Sequence, residues 1–359
     1  GGALEIKDFN GSAKIINTSF TNNSAVTQGG AIRAETDLAV INSVFRGNQG
    51  TEGGAIWGYG FYASTPITGS TFEGNSADIG GAIRLASTGR TGLGVLGSTF
   101  MGNTADDTGG AISSANSVHL ANSTLVGNST VNAGSAGGAV YVSGASNSLG
   151  LGFTTLSGNA TGNSSNAGSA IWAADASVSL LQSVIDDTQG VPCQLTGSAT
   201  MTDTFVFAVD PSDSCVFTGA GSDSTVTSSG LQLGALANNG GLTQTLLPAV
   251  TSPLVTRGPM VNQVGIPVDQ RGVTRSAPFT IGAVQVNAAP PVPPTPTPAG
   301  PPRNVVAVAG DGAVEVSWEA PASTGAFPVS TYRATVSPGG QSCLVPAGET
   351  RCEITGLTN

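Results

Sequence analysis

Through the first half of the chain, apolar residues come in short runs with two-residue alternation, as in Leu38-Ala39-Val40-Ile41-Asn42-Ser43-Val44-Phe45. That rhythm predicts short β-strands. No stretch offers the ten or more residues of 3.6-residue periodicity that a helical repeat requires, and the many Gly and Asn residues would break one. Two signatures recur along the same region. Gly-Gly-Ala-Ile or a close variant begins at Gly1, Gly29, Gly53, Gly80, Gly109 and Gly137, and as Gly-Ser-Ala-Ile at Gly168, with separations of 28, 24, 27, 29, 28 and 31 residues. Between them falls Phe-x-x-Asn, at Phe20/Asn23, Phe45/Asn48, Phe72/Asn75 and Phe100/Asn103. It continues as Leu125/Asn128 and Leu156/Asn159, and decays to Val184/Asp187.

Self-similarity at this period predicts a solenoid in which one repeat makes one coil. Equivalent strands of adjacent coils then pair in parallel about 4.8 Å apart. The Phe and Leu positions should stack as an inward apolar column. The Gly-Gly-Ala step suits a corner of close backbone approach. The recurrent Asn suits a turn, because Asn tolerates left-handed backbone and its amide can bond the same amide in the next coil.

Composition narrows the partners. Charged residues make up 9% of the chain, and 39% is hydrophobic, too much for a disordered segment. The net charge is -10, and no Lys or Arg occurs between Arg90 and Arg257. Nucleic-acid binding rests on cations that neutralise phosphates, so this base-free stretch argues against it and gives no help with a polyanionic glycan. The four cysteines fall into local pairs, Cys193/Cys215 and Cys343/Cys352, without metal-site spacing. They read as disulfides of an oxidising compartment, with free buried thiols as the alternative. No apolar run approaches the roughly 20 residues that span a membrane. The chain opens mid-repeat and reads as a fragment.

With both repeat halves in view, residues 1–190 resemble the repeats of bacterial polymorphic outer membrane proteins. The resemblance implies an all-β fold, a right-handed parallel β-helix of the pectin-lyase-like type. It also implies a secreted or cell-surface, adhesin-like protein of bacterial origin. Residues 191–287 lose the repeat. Gly240 to Pro248, Ser252-Pro253, Asp269-Gln270-Arg271-Gly272 and Ile281-Gly282-Ala283 resemble, in that order, the C-terminal segment of choice-of-anchor Q proteins. They are expected to form irregular last coils and a cap over the open end. That family has Ala-Ile-Asp after Ser-Pro, where this chain has Leu254-Val255-Thr256. Residues 288–302 are a Pro-rich, semi-rigid linker. Residues 303–359, with Trp318, Pro321 and Leu357, resemble a fibronectin type III β-sandwich lacking its last two strands, which implies a longer natural protein.

Enzymes of this fold use clustered carboxylates, with an Arg or Lys in the lyases. Stacking would bring Asp78 near Asp106-Asp107, and Asp175 near Asp186-Asp187. The second group is the better acidic or Ca²⁺ candidate because Asp187 replaces the turn Asn, although neither group has a Lys or Arg nearby in sequence. His119 has no partner and reads as a strand or solvent-facing residue. No catalytic residue and no cofactor is assigned.

A different series is more informative. The residue after each Gly-Gly-Ala-Ile reads Glu5, Arg33, Trp57, Arg84, Ser113, Tyr141, Trp172. If the preceding Ile points inward, strand alternation turns this whole series outward. Trp57 would then lie between Arg33 and Arg84, within cation–π reach. Arg33, Trp57, Arg84, Tyr141 and Trp172 are the binding candidates, for a glycan or a cell-surface protein. A surface ladder that only stabilises the coil is the competing reading. The favoured function is non-catalytic binding; the alternative is a polysaccharide lyase or glycoside hydrolase, or its accessory module.

Overall fold

The computed structural model describes residues 1–7, 11–59, 66–86, 92–162, 167–187, 190–210, 214–215, 217–286, 299–324 and 329–358. The chain divides into two compact units, Gly1–Pro291 and Val292–Asn359. Residues 288–298, most of the expected linker, lie outside the described residues.

The first unit is a parallel β-solenoid. Three eight-stranded sheets run its length. The first begins at Leu4–Ile6 and ends at Val191–Thr196, the second runs from Ser12–Ile16 to Thr200–Thr204, and the third from Ser19–Thr21 to Phe207–Ala208. Parallel pairing therefore continues past residue 190, where the sequence repeat fades: Ile171 pairs with Cys193, Val178 with Met201 and Ile185 with Ala208. Backbone pairing is indifferent to side-chain identity, so a coil can persist after its signature residues are gone.

The eight-residue run Leu38 to Phe45 is split between two sheets, Asp37–Ile41 and Val44–Arg46. The corner between them is left-handed at Asn42 (φ 49°), as it is at Asn17, Gly69, Gly97, Asn122, Phe153, Gln182 and Phe205 in the other coils. The following Ser or Thr locks this corner. Ser43 Oγ donates to the Ile41 carbonyl and accepts from Thr18 N, and Ser70 and Ser98 repeat the pattern. At the Gly-Gly corner, Gly29 has φ 65°, and a β-carbon on Gly30 would run into the Gly54 carbonyl oxygen of the next coil. Both glycines are thus needed for geometric reasons.

The Asn column corrects one expectation. The left-handed residue at that turn is the one before the Asn: Gly47, Gly74, Gly102, Gly127 and Gly158, or Asn22. The Asn itself serves the ladder. Asn48 donates from its backbone N–H (3.0 Å) and Nδ2 (2.8 Å) to Asn75 Oδ1, and Nδ2 also donates to the Phe20 carbonyl. The same three bonds recur at Asn75, Asn103 and Asn128. Each of these amides is buried and bonded on both sides, which a buried polar group requires.

Inside, Phe20, Phe45, Phe72 and Phe100 form a stack with ring centroids 5.0, 4.8 and 4.6 Å apart and planes within 8°. Leu125, Leu156 and Ile185 continue the column. Val184 is not the column residue; it aligns with Thr155 and faces outward, while Ile185 aligns with Leu156. The shift arises because this coil lacks the turn glycine, so Asp187 follows Ile185 by two residues where Asn159 follows Leu156 by three.

Only part of 191–287 caps the end. Phe217 packs on the core, Cys193–Cys215 is formed with both cysteines buried, and Asp203 accepts from Thr218 N and Gly219 N. The remainder, about residues 227–286, does not close the solenoid. It folds back along the outside of the third sheet as a strap. Thr99 Oγ1 donates to the Gln244 carbonyl (2.6 Å), Thr124 Oγ1 to Gln270 Oε1 (2.7 Å), and Ala283 N to Thr155 Oγ1 (3.0 Å). Leu231, Leu254 and Ile281 bury Val184 and Phe207 from outside. The expected cap of the full segment is corrected accordingly. The outward face of the later coils carries Thr99, Thr124, Thr155 and Val184, polar partners and an apolar seat that a lateral segment satisfies better than water.

The second unit is antiparallel. Ala313–Glu319 pairs with Arg303–Gly310 on one side and Arg351–Thr355 on the other, and Thr331–Thr335 pairs with Ser342–Pro346. Trp318 and Tyr332 meet at 5.3 Å beside the Cys343–Cys352 disulfide.

Candidate binding face

Strand alternation places the residue after each inward Ile on the outer face of the first sheet. Register aligns the whole series: Glu5 with Arg33, Arg33 with Trp57, Trp57 with Arg84, then Ser113, Tyr141 and Trp172 in successive strands. The inward neighbours Ile32, Ile56, Ile83, Ile112, Val140 and Ile171 are all fully buried.

The ladder divides into two parts. At the Glu5 end it is a closed ionic and aromatic network. Arg33 Nη1 lies 3.0 Å from Glu5 Oε1, Nη2 pairs with Glu35, and Nε donates to Gln28 Oε1. The same guanidinium lies 5.0 Å from the Trp57 ring centroid. Trp57 Nε1 donates to Glu52 Oε2 (2.8 Å), and Tyr59 packs at 6.2 Å. Trp57 is consequently only 4% exposed. The expectation of an exposed Trp57 is corrected: a large ring on the outer face became covered once its neighbours satisfied its N–H and its π-face.

Arg84 Nη1 donates to Ser113 Oγ (2.9 Å), which also bonds Thr108 Oγ1. Burial pulls the Arg84 guanidinium below its ordinary range, with Glu52 and Tyr141 opposing. Past Ser113, itself fully buried, the ladder opens. Tyr141 and Trp172 are half-buried, adjacent in register, and presented by a rigid sheet. Trp172 lies over Gly168, a residue whose missing side chain leaves room for the ring, and its Nε1 reaches Thr196 Oγ1 at 3.4 Å.

The acidic candidates separate. Asp175 is exposed at the corner after Ala167–Ala174, where its Oδ1 accepts from Ser198 N and Oγ. Asp186 ends a strand of the third sheet, Asp187 follows it, and both are buried. Among the described residues, no three His, Cys, Asp or Glu side chains converge as a metal site. Asp78, Asp106 and Asp107 are exposed, with Asp107 Oδ1 accepting from Asn132 Nδ2. His119 is exposed on Val118–Ala121, its imidazole lying over Gly150.

Polar residues to which sequence reading gave no role in a site hold the strap. Asp269, fully enclosed, accepts from Arg271 N, Nε and Nη2, Val273 N and Gln285 N. The Asp-Gln-Arg-Gly motif thus reads as a structural clasp; its signal was two opposite charges two residues apart. Arg275 carried no motif at all.

Residues 17–35 and 97–115 match the Chlamydia polymorphic membrane protein repeat family. Each match spans one Phe-x-x-Asn turn and the Gly-Gly-Ala-Ile strand that follows it, which the structure shows to be successive sides of a coil. No curated protein and no solved structure matches the chain. Among the described residues, no helix is long and apolar enough to cross a membrane.

Proposed function

We propose that this is a bacterial cell-surface or secreted solenoid that binds a glycan or a surface protein, without catalysis, through the open end of the outer ladder. The observation that carries the reading is the register of Arg84, Ser113, Tyr141 and Trp172 on one flat, rigid face. Aromatic rings held by a sheet lose little conformational entropy on binding, and Tyr and Trp dominate binding energetics where they anchor a partner. Arg33 and Trp57 support the face from the closed end. The match to polymorphic membrane protein repeats supports a surface location, and the disulfides fit an oxidising environment. The same reading takes the solenoid as right-handed and pectin-lyase-like. It takes residues 303–359 as part of a fibronectin type III sandwich, supported by the Trp318 core between two antiparallel sheets.

The test is Tyr141→Ala with Trp172→Ala, assayed on host cells and a broad glycan panel. Binding is expected to fall about tenfold or more, as for loss of aromatic anchors, with the unfolding midpoint unchanged. Trp57→Ala should instead lower stability, because it empties a covered site. Full binding by the folded double variant, or release of sugar from any glycan by the wild type, overturns the reading.

A further inference from the structure

The amide ladder ends in an acid. Asn159 donates from N (2.6 Å) and Nδ2 (3.3 Å) to Asp187 Oδ1, as every earlier Asn donates to the next Asn. An Asn at 187 would pass the ladder on through its own NH₂. Asp187 offers a second oxygen instead, and Oδ2 is buried with no hydrogen-bond partner among the described residues. Asp186 Oδ1, next to it, is in the same condition, and among the described residues its Oδ2 has only Ser157 Oγ, at 3.3 Å. Two adjacent carboxyl groups, 8% and 0% exposed, thus sit where the turn glycine is missing and the last coil begins.

We infer that the Asp187 step is a proton-operated catch. Protonated at Oδ2, Asp187 lets the final coil and its cap (residues 191–210 and 217–226) stay closed; losing that proton to solvent loosens them.

The groups around it give no compensation. The preceding coil meets Asp187 with Asn159 and Asp186 with Ser157, both uncharged. Its own strand contributes Asp186, a like charge. In the next coil Asp210 stands two residues past Ala208, as Asp187 stands two past Ile185, and its carboxylate is taken by Ser214 Oγ and Cys215 N. In the strap, Arg257 is paired to Asp223 at 2.6 Å, and Arg275 is bonded to Asn122 and backbone carbonyls. No cation is bonded to either carboxyl among the described residues. An ionised carboxylate in such a site is costly, and a proton is the cheapest remedy.

Burial, opposed by the two Asn159 bonds and reinforced by Asp186, pushes Asp187 up to about 7. The sign follows. In the opened coil the carboxyl ionises near 4, so between about pH 4 and 7 the closed form holds a proton that the open form has shed, and closure weakens as pH rises. The opening equilibrium should grow by up to tenfold per pH unit, on the order of 10²–10³-fold across the window, and then level off.

The experiment is hydrogen exchange on the full chain from pH 4.5 to 8.5, corrected for intrinsic rates, in wild type, Asp187→Asn and Asp186→Asn. Amides of 191–209 and 217–226 are expected to lose protection in wild type as pH rises, while those of the Phe72 and Phe100 coils do not. Asp187→Asn, which continues the ladder with the residue used in every earlier coil, should remain protected throughout; Asp186→Asn should keep the loss. Parallel profiles in wild type and Asp187→Asn, or abolition of the loss by Asp186→Asn alone, overturn the assignment. Should Asp187→Asn fold poorly, carboxyl ¹³C titration of wild type decides the matter: an Asp187 resonance titrating near 4 refutes it.

Discussion

Phe72→Ala is expected to destabilise the solenoid by about 3–5 kcal/mol, the range for emptying a buried aromatic site. Phe72 is fully buried, with Phe45 at 4.8 Å on one face and Phe100 at 4.6 Å on the other. Truncation removes the ring, leaves a cavity between two coils that parallel pairing holds at fixed spacing, and breaks two stacked contacts. The neighbouring coils cannot close the gap without breaking their ladders. Phe72→Leu should cost far less, below about 2 kcal/mol, because the column already accepts Leu125 and Leu156. Phe20→Ala should also cost less, since Phe20 is partly exposed and, among the described residues, stacked on one side only. The check is the urea unfolding midpoint, read together with hydrogen exchange of the coils around residue 72, because a solenoid need not unfold in one step. Equal losses for Phe72→Ala and Phe20→Ala would contradict an energetic column.

What the sequence makes legible is whatever repeats. Each Phe, Asn and Gly-Gly is reinforced by copies one coil away, so register follows from spacing alone. The alignment of Glu5, Arg33, Trp57, Arg84, Ser113, Tyr141 and Trp172 was readable for that reason. Side-chain coverage was not. Trp57 lies outward as alternation demands, yet Arg33, Glu52 and Tyr59 close over it, and nothing in a two-residue period says how neighbours will pack.

The left-handed corners show a second limit. Asn42 and Asn122 look like turn residues, but Phe153 and Phe205 occupy the same corner position. A left-handed Phe is conformationally costly. At Phe153 burial beneath the strap offsets that cost, so the residue makes sense only with a segment more than a hundred positions downstream. The strap itself has no periodicity, and its seat is a column of outward Thr residues that reads as ordinary strand surface until Gln244, Gln270 and Ala283 are seen against it. Asp187 lies between these cases. Its replacement of Asn was visible in sequence and suggested a cation; its burial and the absence of converging ligands among the described residues point to a proton instead.

Arg275→Ala is expected to release the strap. Arg275 is 5% exposed and ties three elements together: Nη2 donates to Asn122 Oδ1 (2.8 Å) and to the carbonyls of Gly282 (3.0 Å) and Ala283 (3.1 Å), and Nη1 reaches the Thr280 carbonyl. Its guanidinium also lies 3.6 Å from the Phe153 ring centroid. Burial pulls Arg275 down to about 9, so it is still charged at neutral pH. Removing it leaves buried acceptors without donors and uncovers a ring, at a cost of about 3–5 kcal/mol, comparable to breaking a buried charged network. Arg275→Lys should recover only part of this, because one ammonium cannot reproduce a planar fork serving Asn122, Thr280 and the 282–283 turn together. Limited proteolysis supplies the readout: cuts within 227–286 should appear early in Arg275→Ala and late in Arg275→Lys, while the coils of residues 12–130 stay intact. The strap shields a face that the solenoid does not need for its own pairing. If Arg275→Ala instead unfolds strap and solenoid together, the strap is part of the cooperative core and not a separately clasped cover.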